Sequence, residues 1–298
     1  MATPRGTIAA PRPLGAAGRA AQAWRSTARA FRRNPNMAAG ALILVLMGLI
    51  ALAAPLITTY DPLRIDPFAH FEAPTAEHWF GTDNQGRDLY TRTVFGARIS
   101  LLVGAAVAVI TSVLGAGLGL VTGYFRRVDN VVMRFMDGLM AIPGILLAIA
   151  LMALLGASIQ NVVIALTVVD TPRTVRVVRA SVLSLREWAF VDAARSIGAP
   201  TWRILVLHIL PNTVAPLIIQ ATYIFASAVL TEASLSFLGA GVPPIIPSWG
   251  NIMGEGRLYI QQAPWITFFP GTALFLTVLG INLLGDGLRD NLDPKLRR

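Results

Sequence analysis

The sequence contains no cysteine among its 298 residues. A disulfide framework, a thiolate metal site and a cysteine nucleophile are therefore excluded. Lysine is almost as scarce: of 25 basic residues, Lys295 is the one that is not arginine. A P-loop needs a lysine after its glycines to reach the phosphates. Lys295 follows Pro294 close to the end of the sequence, so this chain cannot bind ATP through that motif. Charge is also sparse, at 14%, where soluble globular proteins carry about 25%. Hydrophobic residues reach 54% and the mean hydropathy is +0.60. These values argue against a disordered chain and a cytosolic enzyme, and point to an all-α protein that crosses a membrane several times. His70, His78 and His208 lack metal-ligand spacing and are read as surface or interfacial residues.

The gaps between charges give the spans. Twenty-seven uncharged residues separate Arg33 from Asp61, and another 27 separate Arg98 from Arg126. The 32 between Asp137 and Asp170 are too many for one span, and Gly156 to Asn161 interrupts them with turn residues. Six helices follow, at about 37–58, 99–124, 131–155, 159–179, 209–232 and 265–285. A helix of about 20 apolar residues matches the hydrocarbon core, and a lone strand in lipid would leave its backbone groups unpaired. Pro264 suits the start of the last helix. Gly285-Asp286-Gly287 reads as that helix's end. The 39 residues Tyr60–Arg98 carry six acids and four bases. With Gly81, Gly86 and Gly96 as turns, they read as an ordered outer loop.

Six spans put both termini on one side. With the N-terminus inside, 20 of the 25 bases fall on the inner side, and Arg64, Arg87, Arg92, Arg98 and Arg257 fall outside. The positive-inside rule selects this orientation, and it accounts for the net charge of +9 through lipid rather than nucleic acid. Residues 1–36 hold seven arginines and no acid. This stretch is read as a basic cytoplasmic tail before the first span, in preference to a mitochondrial transit peptide. Residues 37–298 form the membrane domain.

Charges inside spans usually mark ion paths. Arg134/Asp137 and Asp170/Arg173 are each spaced i, i+3, which suggests pairing on one helix face. Asp137, Asp170 and Asp286 each have an arginine three or four residues away, against the shared proton that an aspartyl protease dyad requires.

The inner stretch between the fourth and fifth spans is the most informative. Ser184-Leu185-Arg186-Glu187 has capping-box spacing, while Gly198 and Pro200 supply a stop. A helix over 185–197 follows, too short to span and bounded by charge, so it lies along the membrane surface. Glu187, Phe190, Val191, Ala194 and Ile197 form one largely apolar face. Trp188, Asp192 and Arg195 lie on another. Ala193 and Ala194 are small enough to admit a partner closely. Composition alone does not separate lipid docking from protein docking.

The run Glu187-Trp188-Ala189-Phe190-Val191-Asp192-Ala193-Ala194-Arg195-Ser196-Ile197-Gly198, followed by His208-Ile209-Leu210-Pro211-Asn212, resembles the EAA loop of ABC-importer permeases. Phe80-Gly81-Thr82-Asp83-Asn84-Gln85-Gly86-Arg87-Asp88 and Gly96-Ala97-Arg98-Ile99-Ser100-Leu101 resemble the outer loop of the C-type permease of dipeptide and oligopeptide importers. So do Glu232-Ala233-Ser234-Leu235-Ser236-Phe237-Leu238-Gly239-Ala240-Gly241, Pro247-Ser248-Trp249-Gly250 and the closing Asn282–Asp290 with Leu292-Asp293-Pro294. The resemblance covers about residues 30–298. Asp192 stands where glutamate is usual, Leu89-Tyr90-Thr91-Arg92 replaces a leucine-serine-arginine pattern, and Asp170 stands where a glycine or aromatic residue is expected.

The resemblance implies a type I ABC importer permease fold in the bacterial cytoplasmic membrane, with both termini cytoplasmic and a coupling helix. It implies a B-type permease homologue, two ABC ATPase subunits holding ATP and Mg, and an outer solute-binding protein as partners. This chain would bind no cofactor or metal and no nucleic acid, and would not itself be an enzyme. Glu187, Trp188, Phe190, Val191, Asp192, Ala193, Ala194, Arg195, Ile197 and Gly198 would dock an ATPase subunit. Asp83, Arg87, Asp88, Glu232, Ser234 and Ser236 are candidates for an outer gate or a binding-protein seat, or else outer-turn polar residues satisfied by water. The competing reading is a secondary transporter or channel working without ATPases. It needs a midplane ionisable site at a broken helix, for which Pro143-Gly144 supplies the break, but the sequence offers no unpaired midplane charge. A membrane enzyme is the third reading, and no nucleophile, metal or base constellation supports it.

Overall fold

The computed structural model describes residue 31 and residues 34–292, so the basic tail falls almost entirely outside the described residues. The described chain is helical, and its only β pairing is an isolated antiparallel bridge between Thr82 and Asp88. The helices are α1 (Pro35–Ile57), α2 (Leu89–Tyr124), α3 (Arg126–Met140), α4 (Gly144–Leu155), α5 (Ile159–Leu185), α6 (Ala189–Ser196), α7 (Thr201–Phe237), α8 (Trp249–Gly256) and α9 (Trp265–Leu292). Four of them, α1, α2, α7 and α9, are long and apolar enough to cross a membrane, and α3 with α4 make a fifth if counted as one broken span. The sixth expected span, α5, has 27 residues and reaches about 40 Å at ~1.5 Å per residue. Its composition sets it apart, because it carries Asp170, Arg173, Arg176 and Arg179.

Several boundaries differ from the sequence reading, each for a physical reason. The second span starts at Leu89 rather than near 99, because the Asp88 side chain accepts the Thr91 N–H at 2.7 Å and caps the helix there. Gly81 and Gly86 do turn, with φ of +76° and +70°, whereas Gly96 lies inside α2. The third span is not continuous. It bends by 91° between α3 and α4, at Pro143, which lacks an N–H and disfavours helix in the residue before it. Ser158 caps α5 as the turn at Gly156 suggests. Asp286 is not a helix end: α9 runs on to Leu292, with Gly285 packed against Thr222 and Gly287 against Met37. Within α7, Ile204–Ile209 is a π-helical segment. It precedes Pro211, which cannot donate to the preceding turn, and a widened turn accommodates that loss.

The central packing is α5 on α2. Gly115, Gly119 and Gly123 recur every fourth residue along one stripe of α2. A Cβ built on Gly119 would lie 2.6 Å from Val178 Cβ, and one on Gly123 would lie 2.6 Å from Val182 Cβ. Small residues let helices approach closely in a membrane, where dispersion contacts replace the hydrophobic drive. Thr174, Val175, Val178 and Val182 of α5 are buried as a result. Between α1 and α9, Gly40 serves the same purpose, since a Cβ there would lie 2.5 Å from the Gly280 carbonyl oxygen.

This packing generates a prediction. Gly119→Val forces a branched side chain into Val178, and overpacking of this kind costs about 1–3 kcal/mol. Gly117, two residues away, is exposed with open space around it. Gly119→Val should lower the melting temperature of the purified protein in detergent, while Gly117→Val should leave it close to that of the parent. Equal melting temperatures would refute the packing.

Candidate functional site

At the end of the bundle where α2 and α5 finish, the connecting helix α6 occupies Ala189–Ser196, shorter than the expected 185–197. Ser184 does not cap it. It belongs to the last turn of α5, which continues because Val182 and Leu185 are buried beneath the connector, and Trp188 takes the N-cap position without a side-chain bond. The stop is as expected. Gly198 has φ +77°, its N–H bonds the Arg195 carbonyl at 2.9 Å, and the Ala199 N–H bonds the Ala194 carbonyl at 3.1 Å. That is the pattern of a Schellman ending.

The two faces of α6 separate the candidate docking residues. Val191 and Ala194 are buried in a cluster with Leu120 of α2, Val178 and Val182 of α5, and Ile204, Leu205 and Ile209 of α7. They anchor the helix to its own chain, which covers Val191 and Ala194 among the expected docking positions and leaves Ala193 exposed. Glu187, Trp188, Phe190, Asp192, Ala193, Arg195, Ile197 and Gly198 are exposed, and Ile197 shows 85% of its surface. Polar contacts reinforce the anchoring. Arg186 donates to the Gly123 carbonyl at 3.1 Å, at the C-terminal end of α2, where carbonyls lack helical partners. The Arg195 guanidinium sits 5.5 Å from the Tyr124 ring centroid and bonds Asp192 at 3.1 Å. Hydrogen bonding to the Tyr124 hydroxyl, with Asp192 nearby, raises Arg195 further above its already high value, so it stays charged. α6 is thus fixed to three long helices on one side and presents aromatic, aliphatic and charged groups on the other.

At the opposite end, five of the six gate candidates are buried and bonded to one another's elements rather than displayed. Asp83 is fully buried and accepts hydrogen bonds from Arg87 at 2.7 Å and from Arg92. Arg92, 1% exposed, also bonds Glu255 of α8 at 2.7 and 3.1 Å, and Arg87 reaches the same carboxylate at 2.5 Å. Two arginines and two carboxylates therefore join the loop, α2 and α8. Arg92 and Glu255 were missed as members. Their sequence signal is an arginine and a glutamate beside apolar stretches, but nothing local pairs residues 163 positions apart. Asp88 caps α2 and holds His78 at 2.9 Å, so His78 is a structural partner rather than a free surface residue.

Glu232 is also fully buried. Ser236 and Ser100 donate to its carboxylate at 2.8 and 3.1 Å, which ties α7 to α2. Protein hydroxyls supply its hydrogen bonds. Trp249 of α8 is buried beside it and donates through its indole N–H to the Thr93 carbonyl at 3.0 Å. Ser234 alone is exposed, and its hydroxyl bonds the Leu230 carbonyl at 2.8 Å. The buried candidates bond the loop, α2, α7 and α8 to one another at this end, and only Ser234 among the six is exposed.

The charges of α3 and α5 also pair differently from the expected i, i+3 pattern. Asp129 of α3 takes Arg179 of α5 through two bonds of 2.5 and 2.6 Å, and Asp137 takes Arg176 at 2.6 Å. These pairs clamp the amphipathic α3 across α5. Arg173 bonds the Tyr223 hydroxyl and lies 4.9 Å from its ring centroid. Asp170 has no salt bridge among the described residues, contrary to the expected pairing with Arg173.

Residues 112–298 match the family described as the binding-protein-dependent transport system inner membrane component. The chain belongs to that family. Residues 22–74 match the N-terminal transmembrane domain of oligopeptide transport permease C. A putative peptide transport system permease protein of Brucella abortus is 50% identical over 271 residues, 91% of this chain and 92% of the relative. A dipeptide transport system permease protein of Alkalihalophilus pseudofirmus is 45% identical over 275 residues, covering 92% and 90%. A solved inward-facing methionine ABC transporter shares the fold at a TM-score of 0.50 and 20% identity, covering 65% of this chain and 94% of the matched one. The family is one of permease subunits, which are not themselves catalytic.

The buried charge network yields a second prediction. Asp83→Ala strands the buried Arg92 and Arg87 with Glu255 alone. Breaking a buried charge network from one side costs about 3–5 kcal/mol. The variant should lose cooperative unfolding or melt well below the parent in detergent, whereas Glu187→Ala, on an exposed carboxylate, should melt with the parent. A parental melting temperature for Asp83→Ala would show that the network contributes nothing.

Proposed function

We propose that this chain is one permease subunit of an ATP-driven importer that carries short peptides across the bacterial cytoplasmic membrane by alternating access. Its partners are a second, B-type permease, two ABC ATPase subunits that hold ATP and Mg, and an outer solute-binding protein. Family membership and relatives that carry peptide and dipeptide permease names support this reading. The observation that carries it is the division of α6. Val191 and Ala194 bind it to α2, α5 and α7, while Trp188, Phe190, Ala193 and Ile197 face away from the chain.

That division suits a lever. A partner that grips the outward face of α6 pulls on three long helices at once, because Arg186, Val191 and Ala194 leave it no independent hinge. ATP binding favours one conformation only through contacts that differ between the states, and α6 is where this chain meets the subunits that bind ATP. The outer lock around Asp83, Arg92, Glu232 and Glu255 holds the opposite ends of α2, α7 and α8 together, so those ends move as a unit. Both termini lie in the cytoplasm, a placement that the 20 bases on that side support.

Ala193→Arg tests the docking. An arginine on the outward face disrupts an interface hot spot, at a cost of about 2 kcal/mol or more, roughly thirtyfold in affinity. The ATPase subunits should be lost on co-purification while the permease stays at its normal membrane level. Ala194→Arg should instead reduce the permease itself, because it enters the buried cluster. Full ATPase recovery and undiminished uptake with Ala193→Arg would reject the docking role. The topology has its own check. Thr3→Cys, placed in this cysteine-free chain, should react with a membrane-impermeant maleimide only from the cytoplasmic side; labelling from outside would overturn the orientation.

A further inference from the structure

A cleft of about 310 Å³ opens where the broken span bends, between α4, α5 and α7. Pro143 and Leu166 contribute apolar wall, and Asp170, Arg173, Tyr223 and Ser227 contribute polar groups. Ligand sites begin at about 300 Å³, so the space suits a small solute. Asp170 is the twelfth of the 27 residues of α5, close to the middle of the helix, and no cation lies within ion-pair distance among the described residues. Every other arginine–carboxylate contact on α5 is made: Arg176 with Asp137 and Arg179 with Asp129. Arg173, one turn from Asp170, is turned to the Tyr223 hydroxyl and ring instead. An ionisable group inside a span is costly unless it is paired or faces a polar cavity, and such groups mark the paths of solutes.

We propose that Asp170 and Arg173 form a transit site in this cleft for the two termini of a zwitterionic dipeptide, with Asp170 receiving the ammonium and Arg173 the carboxylate. The dimensions agree. Residues three apart on a helix have Cβ atoms about 5–6 Å apart, and two extended residues span at most about 7 Å. A longer peptide in extended form cannot place both termini on this pair. Tyr223 fixes the arginine by stacking and by its hydroxyl, which leaves further guanidinium N–H groups for a carboxylate. The site binds weakly, because a solute in transit must leave as readily as it enters. The inference rests on the importer reading and narrows its cargo to peptides short enough to bridge the pair.

The test uses the assembled permease–ATPase complex in detergent, without ATP or binding protein, so that only the membrane part can bind. Ser227→Cys places a single thiol in the cleft wall of this chain, with any cysteines of the partner subunits replaced. Its rate of reaction with N-ethylmaleimide is measured against dialanine, N-acetyl-dialanine and dialanine amide. Dialanine should protect the thiol with a midpoint of roughly 1–10 mM, in the range of weak binding. Removing either terminal charge from the peptide, or introducing Asp170→Asn or Arg173→Gln, should raise that midpoint at least tenfold. An unreactive thiol, protection that is equal for all three peptides, or no protection at 100 mM would each overturn the proposal. Loss of the second permease from Asp170→Asn would also overturn it, by showing that the carboxylate pairs across the subunit interface. Because ATPase recovery is scored in the same preparation, failure at the cleft is distinguishable from failure of the importer reading.

Discussion

The close approach of α5 to α2 organises this protein. It depends on three glycines spaced by four, which let the β-branched Thr174, Val178 and Val182 enter the space where side chains would otherwise stand. With α5 held there, its arginines reach Asp129 and Asp137 and fix α3 across it. The same helix supplies the floor on which α6 sits, through Val178, Val182 and Leu185. Its middle brings Asp170 to the cleft beside the bend of the broken span. An α5 displaced by the width of one side chain would lose each of these relations, since packed interiors do not deform smoothly.

The two ends of the bundle use opposite strategies. At the α6 end, apolar burial on one side leaves an apolar and charged surface on the other. At the other end, charge is taken inside. Arg92 and Asp83 are almost without exposure, and Glu232 has none, yet each bonds at least one group from another element. A buried ion pair contributes little net stability but is costly to break from one side, which suits a network that fixes the relative geometry of the elements it joins. Between the ends, Asp170, the one carboxylate of α5, has no salt bridge among the described residues.

Much of the architecture was legible in order along the chain. The gaps between charges overlapped the long helices, several of which run past them, Gly198 and Pro200 marked the end of α6, and the motif from Glu187 to Asn212 placed the chain in its family. The misreadings share a cause. The capping-box pattern at Ser184 is local, but burial of Val182 and Leu185 carries α5 past it. Ala193 and Ala194 are equivalent by composition, and only the position of α5 and α7 decides which one is covered. Pairings at i, i+3 were plausible for both Asp137 and Asp170, yet the arginines turned to partners on neighbouring helices. The glycine repeat of α2 was present in the sequence as a membrane-packing pattern, and its neighbour was not.

By itself, then, the sequence determined what depends on short segments and on sums over them: membrane residence, the sites of the long helices, their charge asymmetry and the short connector. Tertiary structure decided what depends on pairs distant in the chain. It set the 91° bend as the wall of a cleft, the exposure of Ala193 against the burial of Ala194, and the joining of Arg92 to Glu255. Helix formation and partition into lipid are governed by local composition and period, whereas the partner of a buried charge is chosen by which helices the packing of small residues brings within reach.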